Sequence, residues 1–327
     1  MVTKKLDSIQ AVRAIAILLV VGWHIAVKAN VLGYTDSALF FIGNAGVDIF
    51  FVVSGFIMAL CVQNSGRKNF FSKRFIRILP LYWLITLVAL IAYCINPHLV
   101  NSHAASTTIL HSFTLIPIQE SAMLVDVGWT LRYELFFYFI LWVSLLAAPK
   151  HALKLCSAII LLLVGVGVVG EHSFYKDFLT NPLIVEFVYG IVAFQACKWL
   201  KTDSNKMGIA IFAFGIACLI IFSHFNIGQH RCITFGIPAF IVVTGASLVD
   251  ISGLKGFKLF NGIGNASYSI YLTHMFSLGF VIIIAKWLNL SSFVALSVWI
   301  ALAGGMFTYY LIEKNVLRAL RSKLRIN

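Results

Sequence analysis

LDSIQAVRAIAILLVVGWHIAV, residues 6–27, is an apolar run of bilayer length that carries both Arg13 and His24. About 20 predominantly apolar residues cross the hydrocarbon core as a helix. An Arg at bilayer depth costs roughly 2.5–3.5 kcal/mol on the lenient insertion scale, so ionisable residues in such a run are candidates for function. Their spacing adds to this. At ~100° per residue the interval makes about three turns, so Arg13 and His24 project from nearly the same face. They stand roughly 16 Å apart along the axis at ~1.5 Å per residue. One helix presents a fixed cation near one end and a titratable imidazole near the other.

The rest of the chain is of the same kind. Hydrophobic residues make up 60% of the 327 and charged residues 11%, against about 45–50% and 25% in soluble domains, and mean hydropathy is +0.93. The reading is an all-α polytopic membrane bundle, one domain over 1–327, with no separate soluble domain. Lys4 and Lys5 ahead of the first run mimic a signal peptide. However, Arg13 interrupts the run, its length exceeds an h-region and no small-x-small cleavage site follows, so it reads as a retained span. The six cysteines are scattered through mostly apolar stretches without a CxxC pair. They read as small buried hydrophobes, not as a metal site.

Bilayer-length runs recur near 9–27, 40–62, 78–95, 129–148, 153–170, 182–200, 207–224, 232–249, 266–285 and 293–312, about ten spans in all. Pro149, Lys150, His151 and Lys154 mark a short turn between the fourth and fifth. The positive-inside rule orients the bundle. With both termini cytoplasmic, the inner segments hold Lys4 and Lys5; Arg67, Lys68, Lys73, Arg74 and Arg77; Lys150 and Lys154; Lys198, Lys201 and Lys206; Lys255 and Lys258; and Lys314, Arg318, Arg321, Lys323 and Arg325. Only Lys28, Lys176, Arg231 and Lys286 fall outside. The net charge of +13 is therefore topological, and its partners are membrane lipids and not nucleic acid. The longest outer connection, about 96–128, holds His98, His103, His111, Glu120 and Asp126, whose spacing matches no metal-ligand pattern.

Topology sets expected depths. Asp48, in GNAGVDIFFVVSGFIM (43–58), lies two turns below the outer surface, with Asn44 and Gly55 on its face. Glu134, in GWTLRYELFFYF (128–139), lies one to two turns below it, with Tyr138 on its face. His24, Asp48 and Glu134 are thus expected together, an imidazole oriented by a buried carboxylate as in a general base. Their alternative role is in structural ion pairs, such as Glu134 or Asp48 with Arg132. On the inner side, FFSKRFIRILPLYW (70–83) spaces Arg74 and Arg77 as RxxR beside Lys73, a fork suited to phosphate or simply a positive-inside anchor.

In NGIGNASYSIYLTHM (261–275), Ser267, Tyr271 and His274 share a helical face, and His274 competes with His24 as the functional imidazole. Gly262 and Gly264 read as a turn before a helix N-terminus that can take an anion. Glu313 is expected to pair with a loop Arg or cap the bundle, and Glu186 to line a cavity or be hydrated at headgroup level.

RAIAILLVVGWH (13–24), GVDIFFVVSGFIM (46–58), KRFIRILPLYW (73–83), GWTLRYELFFY (128–138), ASYSIYLTH (266–274) and YYLIEKNVLR (309–318) together resemble the acyltransferase-3 family of integral membrane acyltransferases, nearly end to end. The GWTL-x-YE-x-FFY form is most similar to the exopolysaccharide O-acetyltransferase branch. Asn315 stands where many members have Pro, and no hydrolase-like domain follows the last span. The resemblance implies transfer of an acyl group, commonly acetyl from cytoplasmic acetyl-CoA, to a hydroxyl of an extracytoplasmic glycan by a protein of the cell's inner membrane.

On this reading Arg13, Arg74 and Arg77, with Ser267 and Tyr271, bind the CoA thioester, whose pantetheine arm threads the bundle along the first span. His24, oriented by Asp48 or Glu134, takes the hydroxyl proton, and Trp129, Arg132, Tyr138 and His274 face the acceptor. No Ser or Cys stands in a nucleophile motif and the thioester is already activated, so direct transfer without a metal is favoured over an acyl-enzyme. Two rivals remain open: a proton-coupled transporter or flippase with the same buried charges, and a non-catalytic subunit of a polysaccharide assembly complex. The acceptor sugar, the identity of the acyl group and the oligomeric state are not encoded in any motif.

Overall fold

The computed structural model describes residues 2–65, 70–97, 100, 106–200, 205–225, 230–251 and 256–323. Arg67, Lys68, His98, His103, Lys201, Lys255 and Arg325 of the sequence reading lie outside them. Among the described residues there is no strand, only an isolated bridge between Thr107 and Ala122. The helices are α1 (Val2–Val31), α2 (Ala45–Ser65), α3 (Phe70–Ile95), α4 (Ile109–Thr114), α5 (Trp129–Ala147), α6 (Ala152–Gly167), α7 (Phe174–Leu179), α8 (Val185–Leu200), α9 (Asn205–Phe225), α10 (Ile237–Ser247), α11 (Phe257–Ile283), α12 (Leu290–Thr308) and α13 (Lys314–Lys323). The turn expected at Pro149 is present as a 3-10 segment, Pro149–His151, between α5 and α6.

Among the described residues, nine helical segments are long and apolar enough to cross a membrane. The remaining expected run, 232–249, is the shorter segment Cys232–Ser247. At ~1.5 Å per residue it covers roughly 24 Å of a ~30 Å hydrocarbon core. It opens with a π-helical turn, Cys232–Gly236, which passes without a break into α10, and Pro238 stands just after that turn.

Two close helix pairs organise the bundle: α2 with α8, where a methyl on Gly55 would lie 2.1 Å from the Phe187 carbonyl oxygen and one on Gly190 2.0 Å from that of Val52, and α1 with α11. Helices α1 and α11 run parallel, in contact from Gln10 and Gly264 to the residues just past their C-terminal ends. Arg13 Nη2 donates to Ser267 Oγ at 2.8 Å, the rings of His24 and His274 lie 5.1 Å apart, and Tyr34 Oη donates to the carbonyls of Ala285 and Leu288 at 2.6 and 2.8 Å. Gly264 makes this approach feasible: a methyl there would lie 2.0 Å from the carbonyl oxygen of Gln10. Because α11 begins at Phe257, Gly262 and Gly264 lie inside the helix, and the anion-binding turn expected of them is not formed. Lipid tails are as apolar as leucine, so close backbone contact over small residues replaces the hydrophobic effect between such helices.

The segment before α5 departs most from expectation. Read as an outer loop, it folds into the bundle, and His111, Ser112, Leu115, Leu124, Val125 and Val127 are all buried. Tyr82 Oη of α3 donates to the Ser112 carbonyl at 2.5 Å, Ser112 Oγ accepts from Leu124 N at 2.9 Å, and Tyr271 Oη of α11 donates to the Val127 carbonyl at 2.8 Å. Each buried polar group of the segment that is named here meets a protein partner in place of water. Helix α5 therefore starts inside the bundle, not at its surface.

Candidate active site

A cavity of about 300 Å³ opens between α1, α2, α3, α5 and α11. Its charged lining is Arg13, Arg74, Arg77 and Glu134. Arg13, the costly residue of the first span, is buried and held by Gln10 Oε1 at 3.0 Å and Ser267 Oγ at 2.8 Å. Those acceptors are neutral, and among the described residues no direct ion pair cancels its positive charge at the wall. The RxxR spacing brings Arg74 and Arg77 to the same cavity, since residues three apart on a helix are neighbours. Arg74 Nε is buried with no hydrogen-bond partner among the described residues. Three guanidiniums thus converge from two helices, joined by Ser267 and Tyr271. This brings together all five residues read from the sequence as donor-binding.

Glu134 lies in the same cavity, and this overturns its expected company. Ser54 Oγ donates to Glu134 Oε1 at 3.0 Å, Tyr138 Oη donates to the same oxygen, and both partners line the cavity. Thr130, Glu134 and Tyr138, spaced at i, i+4 and i+8, form one stripe of α5 facing the arginines. His24 and Asp48 are not part of this lining. The depth assigned to Glu134 assumed that α5 begins at the outer surface. The segment ahead of it is itself buried, so α5 starts within the bundle and Glu134 lies with the arginines, apart from His24.

His24 instead faces His274. The ring centroids are 5.1 Å apart and the planes inclined at 51°. His274 is fully buried, and its Nδ1 lies 2.7 Å from the Tyr271 carbonyl and 3.2 Å from that of Ile270. A carbonyl only accepts, so Nδ1 carries the hydrogen and Nε2 the lone pair. That Nε2 has no hydrogen-bond partner among the described residues. Tyr271 stands between the two regions. It lines the cavity, its ring lies 5.9 Å from that of His274, and its hydroxyl is shared with Thr130 Oγ1 at 2.8 Å.

Asp48 does not orient His24. It is fully buried in a two-pronged contact with Arg231, Nε to Oδ1 at 3.0 Å and Nη2 to Oδ2 at 2.8 Å. Arg231 Nη2 also donates to the Asn44 carbonyl at 2.6 Å. Arg231 was assigned to an outer loop on charge counting alone, and nothing local in the sequence marks its partner 183 positions away. Glu186 is fully buried rather than exposed at a headgroup surface, is not in the lining of this cavity, and packs against Gly236.

Arg132 and Trp129 also lie off the cavity. Arg132 Nη1 donates to His111 Nε2 at 3.1 Å and its guanidinium sits 6.0 Å from the Phe178 ring, while Trp129 packs edge-on against Tyr133 at 6.1 Å. Glu313, expected to meet a loop Arg, accepts from Ser269 Oγ at 2.5 Å. Sequence reading missed Gln10, Ser54 and Thr130 in the cavity wall, because an isolated polar residue in an apolar run carries no pattern of its own.

Residues 6–312 match the family model described as acyltransferase domain. The chain is 32% identical over 257 residues to the exopolysaccharide production protein ExoZ of Rhizobium meliloti (strain 1021), covering 74% of this chain and 78% of that protein. It is 23% identical over 315 residues to the peptidoglycan O-acetyltransferase OatA of Listeria monocytogenes serovar 1/2a, covering 83% of this chain and 49% of that longer protein. No solved structure matches it.

Proposed function

The chain belongs to the acyltransferase-domain family, and we propose that it is an acyl-CoA-dependent membrane O-acyltransferase. On this reading it moves an acetyl group from cytoplasmic acetyl-CoA to a hydroxyl of an extracytoplasmic polysaccharide or lipid-linked glycan. The observation that carries the proposal is the cavity in which Arg13, Arg74 and Arg77 converge, with Tyr271 in its wall and the ring of His274, the partner of His24, 5.9 Å from that of Tyr271. The acceptor class follows the printed names of the two relatives, an exopolysaccharide production protein and a peptidoglycan O-acetyltransferase.

Arg13, Arg74 and Arg77 bind the phosphates at the inner end. A volume of about 300 Å³ is at the low end for ligand pockets. It suits the slender pantetheine arm and leaves the nucleotide outside, against Arg74 and Arg77. The arm points past Tyr271 towards His24, along the roughly 16 Å that α1 rises between Arg13 and His24. His24 accepts the hydroxyl proton as the acceptor oxygen attacks the thioester carbonyl. The C–S bond breaks, and His24 returns the proton to the departing thiolate. General-base help of this kind supplies ~10²–10⁴ in rate.

Glu134, held by Ser54 and Tyr138, sets the charge of the cavity wall. Asp48 acts through Arg231, fixing α2 against the start of the segment Cys232–Ser247. Arg132 and Trp129 support the acceptor side from outside the cavity.

Purified protein in lipid nanodiscs, incubated with acetyl-labelled acetyl-CoA, tests the proposal. Release of CoA, with label passing to polysaccharide added from the same cells, is the expected result. Binding without turnover, or no binding, favours a transporter or an assembly subunit and overturns it.

A further inference from the structure

The lone pair of His274 is a buried acceptor with a fixed direction and no donor among the described residues. Two backbone carbonyls of its own helix hold the Nδ1 hydrogen, so the ring can neither flip nor change tautomer without breaking both contacts. An unmatched buried acceptor is destabilising, a penalty that a group with no role beyond packing has no reason to carry. The titratable ring set against it is His24 of α1, at 5.1 Å between centroids. Lys28, one turn further along α1, only donates, and Tyr271 is already committed to Thr130 and Val127. Of these three groups His24 alone has both an N–H to give to His274 and a second nitrogen to present elsewhere.

We propose that His274 is a positioning residue for His24. A turn of the His24 ring on substrate binding brings the N–H of one of its nitrogens to this unpartnered Nε2, which leaves the lone pair on the other nitrogen to face the acceptor hydroxyl. The bond also holds the imidazolium formed when His24 takes the hydroxyl proton. That proton then leaves from the same His24 nitrogen to the thiolate as the C–S bond breaks, so His274 Nδ1–H never exchanges. The two histidines are therefore not alternative bases: His24 meets the substrate, and His274 sets its tautomer. The inference rests on the reading of His24 as the base, and the test separates the two.

The experiment uses membranes bearing the full chain and the native polysaccharide, with acetyl-CoA as donor and alkali-released acetate as the readout. His274→Gln carries an acceptor near the position of Nε2, His274→Asn carries one nearer Nδ1, and His274→Leu carries none. Rates are normalised to inserted protein with an unaltered unfolding temperature. The expected result is a fall in maximal rate of about 10²-fold for the Leu and Asn variants, within the range a general base supplies. The half-saturating acetyl-CoA concentration stays unchanged, and His274→Gln recovers at least about tenfold. In a His24→Ala background, His274→Leu lowers the rate no further. Equal rates for the Gln and Asn variants, a loss confined to donor saturation, or additive losses with His24→Ala would each overturn the positioning role. So would a full rate in His274→Leu when His24→Ala is inactive, which leaves the base assignment standing. A full rate in His24→Ala removes the base assignment itself, and with it the role of His274.

Discussion

Arg231 grips the buried carboxylate of Asp48 through two hydrogen bonds of 3.0 and 2.8 Å, although the two residues lie on segments that no local pattern connects. Asp48 is wholly inaccessible, whereas the Arg231 side chain is 30% exposed. Removing the arginine leaves a charge that water cannot reach, while removing the aspartate leaves a cation that water partly can. Breaking a buried pair from one side costs about 3–5 kcal/mol. Arg231→Met is therefore expected to lower stability by that amount and Asp48→Asn by less. The double variant should lose less than the two single losses combined, because no charge is then stranded. Unfolding temperatures in detergent or nanodiscs measure all three, and strict additivity would refute the coupling.

The three guanidiniums make a prediction about donor binding. A hydrogen bond to a charged group contributes about 1.5–3 kcal/mol, which is roughly a 10- to 150-fold change in affinity. Arg77→Gln and Arg74→Gln are each expected to raise the half-saturating acetyl-CoA concentration by about that factor and to weaken its dependence on salt. Arg13→Lys keeps the charge but loses the fork that reaches Gln10 and Ser267 together, so it too should impair donor saturation. Titration of acetyl-CoA at two ionic strengths checks this. Unaltered saturation in all three variants would remove the phosphate-binding role from the cavity.

Gly262 and Gly264 differ by two positions and should differ in sign. A methyl at Gly264 would fall 2.0 Å from the Gln10 carbonyl, whereas a methyl at Gly262 meets nothing within 4 Å. Gly264→Ala is expected to force α1 from α11, break the Arg13–Ser267 contact and destabilise by more than about 1 kcal/mol. Gly262→Ala gains helix propensity, up to about 1 kcal/mol. Thermal unfolding of the two variants side by side decides it.

His111 provides the pH dependence. Its Nε2 accepts from Arg132 and its Nδ1 therefore donates to Ser121 Oγ, 3.1 Å away, a pattern that only the neutral ring satisfies. Burial, and then the adjacent Arg132 charge, hold its pKa below the ordinary imidazole value, with the Ser121 contact opposing them. A folded pKa below the unfolded one means the contribution to stability is complete above the unfolded pKa of about 6.5. It is lost as pH falls through the folded value. Between pH 7.5 and 5 the native chain should lose more unfolding temperature than His111→Gln, which still accepts from Arg132 and does not titrate. Parallel curves would exclude the effect.

The neighbours of Arg13 on α1 and of Ser267 on α11 were legible because helical periodicity is local. The spacing from Arg13 to His24, the RxxR of Arg74 and Arg77, and the shared face of Ser267, Tyr271 and His274 each follow from ~3.6 residues per turn. The apolar runs were legible because hydrocarbon thickness sets span length. Depth was not. Counting inward from the ends of the runs put Glu134 beside His24, since nothing in residues 106–128 reveals that this connection is buried and carries the start of α5 into the bundle. Gly262 and Gly264 failed for a related reason: a GxG reads alike as a turn and as a place where two helices touch.

Sequence by itself determined the membrane class, the helical segments, the family and which side chains share a helix face, all properties of one helix in a known solvent. Tertiary structure alone decided that Glu134 joins the arginines, that Asp48 belongs to Arg231 and that His24 belongs to His274. Those pairings depend on the relative height and rotation of helices far apart in the chain. Close contacts such as Gly264 against Gln10 and a buried connection set these, and neither leaves a periodic trace in the order of residues.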